Sequence, residues 1–174
     1  MPPLEGSEPA PGNAPGRVAT AGKSGSVEFA GVSLSNPDRV LWPDTCITKI
    51  ELARYYETVA EQMLPHVADR PLSLVRCPAG YTGECFYQKH IKDFPVTVGT
   101  VDVYEPGEGT TAPYARIDDV SGLVGLAQMG VLEIHPWGSR ADDIDKPDRI
   151  VFDLDPDEGH PWSQVAATAL LLRS

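Results

Sequence analysis

Apolar and polar positions change rhythm several times along the chain, and each rhythm predicts an element. Val27-Glu28-Phe29-Ala30 and Val32-Ser33-Leu34 alternate about Gly31, the period-two pattern of two half-buried strands joined by a tight turn. Thr48-Lys49-Ile50-Glu51 fits a capping box, in which the Thr hydroxyl and the Glu carboxylate satisfy amides left without partners at a helix start. Leu52, Tyr55, Tyr56, Val59, Ala60 and Met63 follow at three- and four-residue steps, one apolar stripe on a helix that Pro65 is expected to close. Leu72 to Arg76 has the texture of a strand, and Pro78 to Gly83 that of a turn.

Beyond a middle stretch that reads as loop-rich, Asp118 and Asp119 can cap a helix through Leu123, Val124, Leu126 and Ala127. Gly130 is placed to end that helix in a left-handed conformation, and Val131 to His135 predicts a further strand. A second apolar strand, Arg149-Ile150-Val151-Phe152-Asp153-Leu154-Asp155, stops at Pro156, and a helix from Trp162 or Ser163 runs to the last residue. That helix carries no stop signal, and its Val165, Ala166, Ala169, Leu170 and Leu172 lack a cover in the remaining sequence. The fold is therefore expected to be incomplete at its C-terminus.

Composition changes this picture at the N-terminus. Residues 1–26 are nearly all Pro, Gly, Ala, Ser and Glu, too poor in large aliphatic side chains to order themselves, and predict a disordered tail before one domain over 27–174. The 41% hydrophobic and 22% charged residues of the whole chain are ordinary globular usage, so the rest should fold. No stretch approaches the roughly 20 apolar residues of a membrane span, and no secretory signal opens the chain, so a soluble, cytoplasmic protein with no membrane partner is expected. Three cysteines, Cys46, Cys77 and Cys85, form no C-x-x-C pair and are expected to be reduced structural thiols.

Charge cuts against one class of partner. Fourteen Lys and Arg against 25 Asp and Glu leave a net −11, the wrong sign for gripping nucleic acid by general phosphate attraction. Nucleic-acid binding then requires the few cations to be gathered on one face, or positive charge supplied by a partner region.

The most informative chemistry lies in Asp153 and Asp155. Side chains two apart on a strand share a face about 6–7 Å apart, so both carboxylates can reach one site while Leu154 packs the other way. Such oxygen donors suit Mg²⁺-like ions, and two such ions about 3.5–4 Å apart can support phosphoryl transfer. On the residues alone this reading stands level with capping of the turn and helix that follow. Phosphatases of the haloacid dehalogenase type also place Asp-x-Asp after an apolar run, but they continue with Gly-Thr, whereas Pro156-Asp157 follows here.

Several segments in order resemble the polymerase domain of bacterial DNA ligase D, of the archaeo-eukaryotic primase superfamily. They are Leu34-Ser35-Asn36-Pro37-Asp38-Arg39-Val40-Leu41-Trp42-Pro43, Thr48-Lys49 with Tyr55-Tyr56, and Arg70-Pro71-Leu72-Ser73-Leu74 with Phe86-Tyr87-Gln88-Lys89. Leu132-Glu133-Ile134-His135-Pro136-Trp137 and Pro147-Asp148-Arg149-Ile150-Val151-Phe152-Asp153-Leu154-Asp155-Pro156 complete the set, over about residues 27–174.

The resemblance implies an α/β (α+β) fold, a primase-polymerase palm with a mixed sheet and flanking helices. It implies a DNA repair nucleotidyltransferase module of non-homologous end joining that uses two Mg²⁺ or Mn²⁺ ions, held by Asp153 and Asp155. DNA ends and nucleoside triphosphates would be its ligands, with a ligase domain and a Ku-type end-binding protein as partners in the nucleoid. Residue by residue it assigns Arg39 and Lys49 to a DNA 5′-phosphate, Phe86 and Tyr87 to stacking on the templating base, and His135 and Lys89 to the nucleotide. Arg39 stands where Lys is more usual. Against these roles stand solvated surface cations for Arg39, Lys49 and Lys89, core packing for the aromatic pair, and a hydrogen-bonded strand-end His for His135. The family's later Ser-x-His segment and third metal-binding Asp have no counterpart before Ser174, so the chain alone is expected to be inactive. A non-catalytic binder of 5′-phosphorylated DNA ends and a nonfunctional remnant are the alternatives.

Overall fold

Chain order runs β1 (Thr20–Ala21), β2 (Ser26–Phe29), β3 (Val32–Ser35), β4 (Val40–Trp42), β5 (Ile47–Thr48), α1 (Lys49–Val67), β6 (Leu72–Arg76) and β7 (Phe86–Gln88). It continues through β8 (Gly99–Glu105), β9 (Thr110–Arg116), α2 (Val120–Gln128), β10 (Val131–Pro136) and α3 (Trp162–Arg173). The computed structural model describes residues 20–21 and 25–173. Of the expected N-terminal tail, Thr20 and Ala21 pair with Glu28 and Val27, while residues 1–19 and 22–24 lie outside the described residues.

Every ladder among the described residues is antiparallel. A five-stranded sheet has the order β10-β6-β9-β8, with β7 also paired to β6, beside a three-stranded β1-β2-β3 sheet and a β4-β5 ribbon. The β2–β3 hairpin turns where expected: Ala30 and Gly31 both take positive φ, 48° and 80°, the mirror-image turn that matches strand twist.

Local signals explain the helices. Glu51 accepts hydrogen bonds at 2.7 Å from the Thr48 amide and at 2.7 Å from its hydroxyl, starting α1 at the predicted position. The helix runs past Pro65 to Val67, because a proline near a helix end forfeits one backbone bond without forbidding helical φ. Its buried face is Leu52, Ala53, Tyr56, Ala60 and Val67; Tyr55, predicted for the stripe, is 58% exposed. In α2 the Asp119 carboxylate accepts the Gly122 amide at 3.1 Å. Gly130 follows at φ 69°, accepting the Cys77 amide at 2.7 Å, and an added Cβ there would lie 3.0 Å from Pro78 Cα.

The main core lies where α1, α2, the β2–β3 hairpin and β6 meet, with Leu34, Leu41, Leu72, Leu74, Leu123 and Leu126 fully buried. Each such side chain contributes about 1.5–3 kcal/mol by leaving water. A second, smaller cluster of Val103, Ala112 and Tyr114, with Val101, Trp137 and Ile144 against it, covers the β8–β9 hairpin.

Three expectations are corrected. The loop-rich middle contains that hairpin of two seven-residue strands; Pro113 obscures β9, yet its carbonyl still accepts the Ile91 amide at 3.0 Å. Cys77 and Cys85 are joined by a disulfide rather than reduced, because the antiparallel β6–β7 pairing brings the two ends of their turn together; Cys46 is free and exposed. Finally, Arg149 to Asp155 forms no strand. Ile150, Val151 and Phe152 are 76%, 78% and 63% exposed, and β10, the edge strand of the sheet, does not pair with them. A strand without a ladder leaves its peptide groups to water and its apolar side chains uncovered, so sequence texture alone does not create one.

Candidate functional site

Arg39 and Lys49 come together as the sequence suggests. Arg39 precedes β4 and Lys49 opens α1; the Lys49 amide donates to the Arg39 carbonyl at 2.9 Å, tying the two backbones. Both side chains line a hollow of about 170 Å³ with Ser35, Asn36, Arg76 and Gln128. Lys49 is only 5% exposed, and its Nζ donates to the Ser35 carbonyl at 2.9 Å and to the Gln128 carbonyl and amide oxygen at 3.3 and 3.4 Å. Burial, and then the neighbouring Arg39 charge, pull its pKa below the ordinary lysine value. Arg39 donates to the Pro78 carbonyl at 2.7 Å. No carboxylate lines the hollow, so its cations face neutral acceptors only.

Arg76, which the sequence pattern does not single out, is the third cation there. A single Arg at a strand end looks like ordinary surface charge, and only its tertiary contacts with Met129 and Gln88 place it in the hollow.

Phe86 and Tyr87 are both exposed, 43% and 72%, so neither is core. The strand sends them to different neighbours. Phe86 lies 5.4 Å from the Arg76 guanidinium, and Tyr87 lies 5.9 Å from the His135 ring on β10. His135 Nε2 is 2.9 Å from Glu133 Oε2, both side chains about half exposed. Lys89 is exposed, and its charge helps to hold Glu105 below the usual carboxylate range, after the hydrogen bonds from Tyr114 and His90. Trp137, partly buried, packs edge-on to Tyr114 at 5.2 Å against the second cluster.

Asp153 and Asp155 are exposed and line one hollow, completed by Asp157, His160 and α3. Its walls include none of His135, Lys89, Phe86 or Tyr87, so Asp153 and Asp155 share a hollow with each other but not with the rest of the site. What anchors their segment is Arg70, 3% exposed, which donates to Asp148 in a two-bond fork at 2.7 and 2.8 Å and to the Gly138 carbonyl at 2.9 Å. This pairing holds the Asp148 carboxyl below its ordinary range and sets where the segment leaves the sheet.

A family model described as LigD, primase-polymerase domain, matches residues 48–174. The chain belongs to this family. It is 38% identical over 174 residues to the multifunctional non-homologous end joining protein LigD of Pseudomonas aeruginosa, covering 98% of this chain and 19% of that protein. It is 36% identical over 152 residues to the protein of the same name from Mycolicibacterium smegmatis, covering 86% and 20%. Among solved structures, the polymerase domain from Mycobacterium tuberculosis ligase D in complex with DNA matches with a TM-score of 0.58 and 36% identity, over 63% of this chain and 38% of that one. This LigD-family chain thus spans about a fifth of the curated relatives it matches. The α/β class drawn from the sequence holds. No helix among the described residues is long and apolar enough to cross a membrane.

The family is metal-dependent, and the residues present fit that need in part. Asp153 and Asp155 offer hard oxygen donors with no hydrogen bond or ion pair to another described group, while no cluster of three metal-ligating side chains occurs among the described residues.

Proposed function

We propose that this chain serves DNA end joining as part of a primase-polymerase nucleotidyltransferase, and that its own residues hold the DNA end. The observation that carries this reading is the acid-free hollow that gathers Arg39 and Lys49 in a chain of net charge −11. Local cation density of this kind suits a 5′-phosphate, for which guanidinium and ammonium groups are strong donors. Phe86 and Tyr87, both exposed, offer ring faces for stacking on template bases, a contact that tolerates any sequence. His135 and Lys89 face the nucleotide, and Asp153 and Asp155 hold Mg²⁺ or Mn²⁺. When bound, a pair of such ions favours an attacking hydroxyl and a leaving pyrophosphate. A ligase domain, a Ku-type protein and a place in the nucleoid follow from the same reading.

A second reading, recognition of the end without catalysis, is favoured by the position of Asp153 and Asp155 apart from the sheet. One titration separates them, using a gapped duplex with a recessed 5′-phosphate and its 5′-hydroxyl counterpart. Preference for the phosphate with manganese-dependent extension supports the polymerase; preference without extension supports the binding module. Equal, weak binding to both ends would sink the two together. Manganese uptake followed by electron paramagnetic resonance tests the metal assignment: it should be lost in Asp153→Asn/Asp155→Asn, and undiminished uptake would remove that role.

A further inference from the structure

The turn from β6 to β7 is closed by the Cys77–Cys85 disulfide, whose cysteines are eight residues apart in sequence. Its two sulfurs stand in different surroundings. Cys77 is 3% exposed and its amide donates to the Gly130 carbonyl at 2.7 Å, so this end belongs to the core behind β6. Cys85 is exposed, as are Thr82, Gly83 and Glu84 before it and Phe86 and Tyr87 after it. A dissolved thiol therefore meets the bond at its Cys85 end.

Between the two cysteines the chain is fixed at one further place. The Tyr81 amide donates to the Leu41 carbonyl at 2.9 Å, and its hydroxyl donates to the Asp44 carboxylate. Gly80, at φ 94°, permits this close approach, since an added Cβ would lie 2.8 Å from the Leu41 oxygen. Arg39 adds a bond to the Pro78 carbonyl at 2.7 Å, so residues 78–81 stay against the β4–β5 ribbon without help from the disulfide. The next stretch has no comparable hold. β7 meets β6 at three register pairs only, Arg76–Phe86, Val75–Tyr87 and Leu74–Gln88, and Gln88 secures its far end through bonds to Arg76 and the His90 carbonyl. A ladder this short, with both aromatic side chains exposed, is marginal by itself, so the covalent tie at Cys85 is the main restraint on its near end.

We propose that Cys77–Cys85 is a thiol–disulfide switch that sets the order of residues 82–87. Closed, it pins the start of β7 to the sheet; open, it releases 82–87 while the core and the Tyr81 contact remain. Opening begins when the thiolate of a small thiol such as glutathione attacks Cys85 Sγ: the Sγ–Sγ bond breaks, the reagent is joined to Cys85, and Cys77 leaves as a thiolate that takes up a proton. A second thiol displaces Cys85 and departs as the reagent's disulfide, so two electrons and two protons pass to the protein. Closure is the reverse, with the small disulfide as oxidant. Exposed disulfides are the labile ones in such exchange, whereas structural ones resist the glutathione pool. Nothing in this switch depends on what the chain binds.

The test uses the full chain carrying Cys46→Ser, which removes the free exposed thiol, equilibrated with reduced and oxidised glutathione over a series of ratios. Alkylation followed by mass measurement counts the thiols, and amide hydrogen exchange reads the backbone. The bond should open and close reversibly, and exchange over 82–87 should accelerate about tenfold or more in the open form while α1, α2 and the Tyr81 amide keep their rates. Cys85→Ser should exchange like the open form even in oxidised glutathione; if that variant fails to fold, the reduced chain with both cysteines present gives the same reading. Equal exchange over 82–87 in the two forms overturns the proposal. So does a pair that stays as thiols in oxidised glutathione, or a bond that opens only when the whole chain unfolds, which would make it a structural staple.

Discussion

Lys49 combines burial with three neutral oxygen acceptors, and the combination gives its charge a pH signature. Its folded-state pKa is lowered from the ordinary 10.5, first by burial and then by Arg39, so between the two values the unfolded chain holds the extra proton. Stability must therefore rise with pH across that window, the reverse of the effect of a lysine paired with a carboxylate. We expect the thermal midpoint of wild type to gain on that of Lys49→Met as pH approaches 10.5; a constant difference would contradict the assignment. Phosphate binding should move the other way, weakening as the ammonium loses its proton. The sequence named Lys49 and Arg39, but their juxtaposition depends on the β4–β5 turn that returns the chain from one to the other.

Two features of α2 decide whether that helix forms and how closely it docks. Asp119 caps it, and the Ser121 hydroxyl followed by the Gly122 amide holds the carboxyl below its usual range. Asp119→Ala should cost about 1 kcal/mol at neutral pH by urea unfolding, and Asp119→Asn much less. Because the folded-state pKa is depressed, this contribution is present above the unfolded value and lost as pH falls through the lowered one, so the alanine penalty should vanish in acid. Gly125 tests packing against propensity. Alanine ordinarily gains about 1 kcal/mol over glycine inside a helix, but a Cβ here would lie 2.7 Å from Thr97 Oγ1 and 2.8 Å from Val98 Cγ2. Overpacking of that kind costs about 1–3 kcal/mol, so Gly125→Ala should be neutral to destabilising; a clear gain would show that the 95–98 loop yields freely.

At the scale of the whole molecule, the contrast is between a closed core and an uncovered end. Residues 150–155 and α3 expose Ile150, Val151, Phe152, Trp162, Leu170 and Leu171 beside a sheet whose edge strand β10 has no partner there. Amide exchange over 150–155 should accordingly be fast while β6, paired on both edges, stays protected; strong protection at 150–155 would mean that the segment joins the sheet in solution. Net charge also acts at this scale. A molecule at −11 repels DNA at long range, so the proposed binding of an end would have to rest on the acid-free hollow rather than on overall attraction.

Residue pattern alone determined most elements: the β2–β3 hairpin, the capped starts of α1 and α2, β6, β10 and α3 follow from alternation, capping chemistry and helical period, which are local properties. It also named Asp153 and Asp155, whereas Arg39, Lys49, Phe86, Tyr87, Lys89 and His135 came only through the family resemblance. The β8–β9 hairpin was legible in principle, since Val101, Val103 and Glu105 alternate with exposed neighbours, but Pro113 and the glycines of its turn masked it. Tertiary structure decided the rest. Whether 149–155 is a strand depends on a neighbour to share its peptide hydrogen bonds, whether Cys77 meets Cys85 depends on the pairing of β6 with β7, and whether Arg76 is surface or site depends on where α2 ends. Each of these is a contact between residues distant in sequence or in separate elements, and no local pattern encodes such a contact by itself.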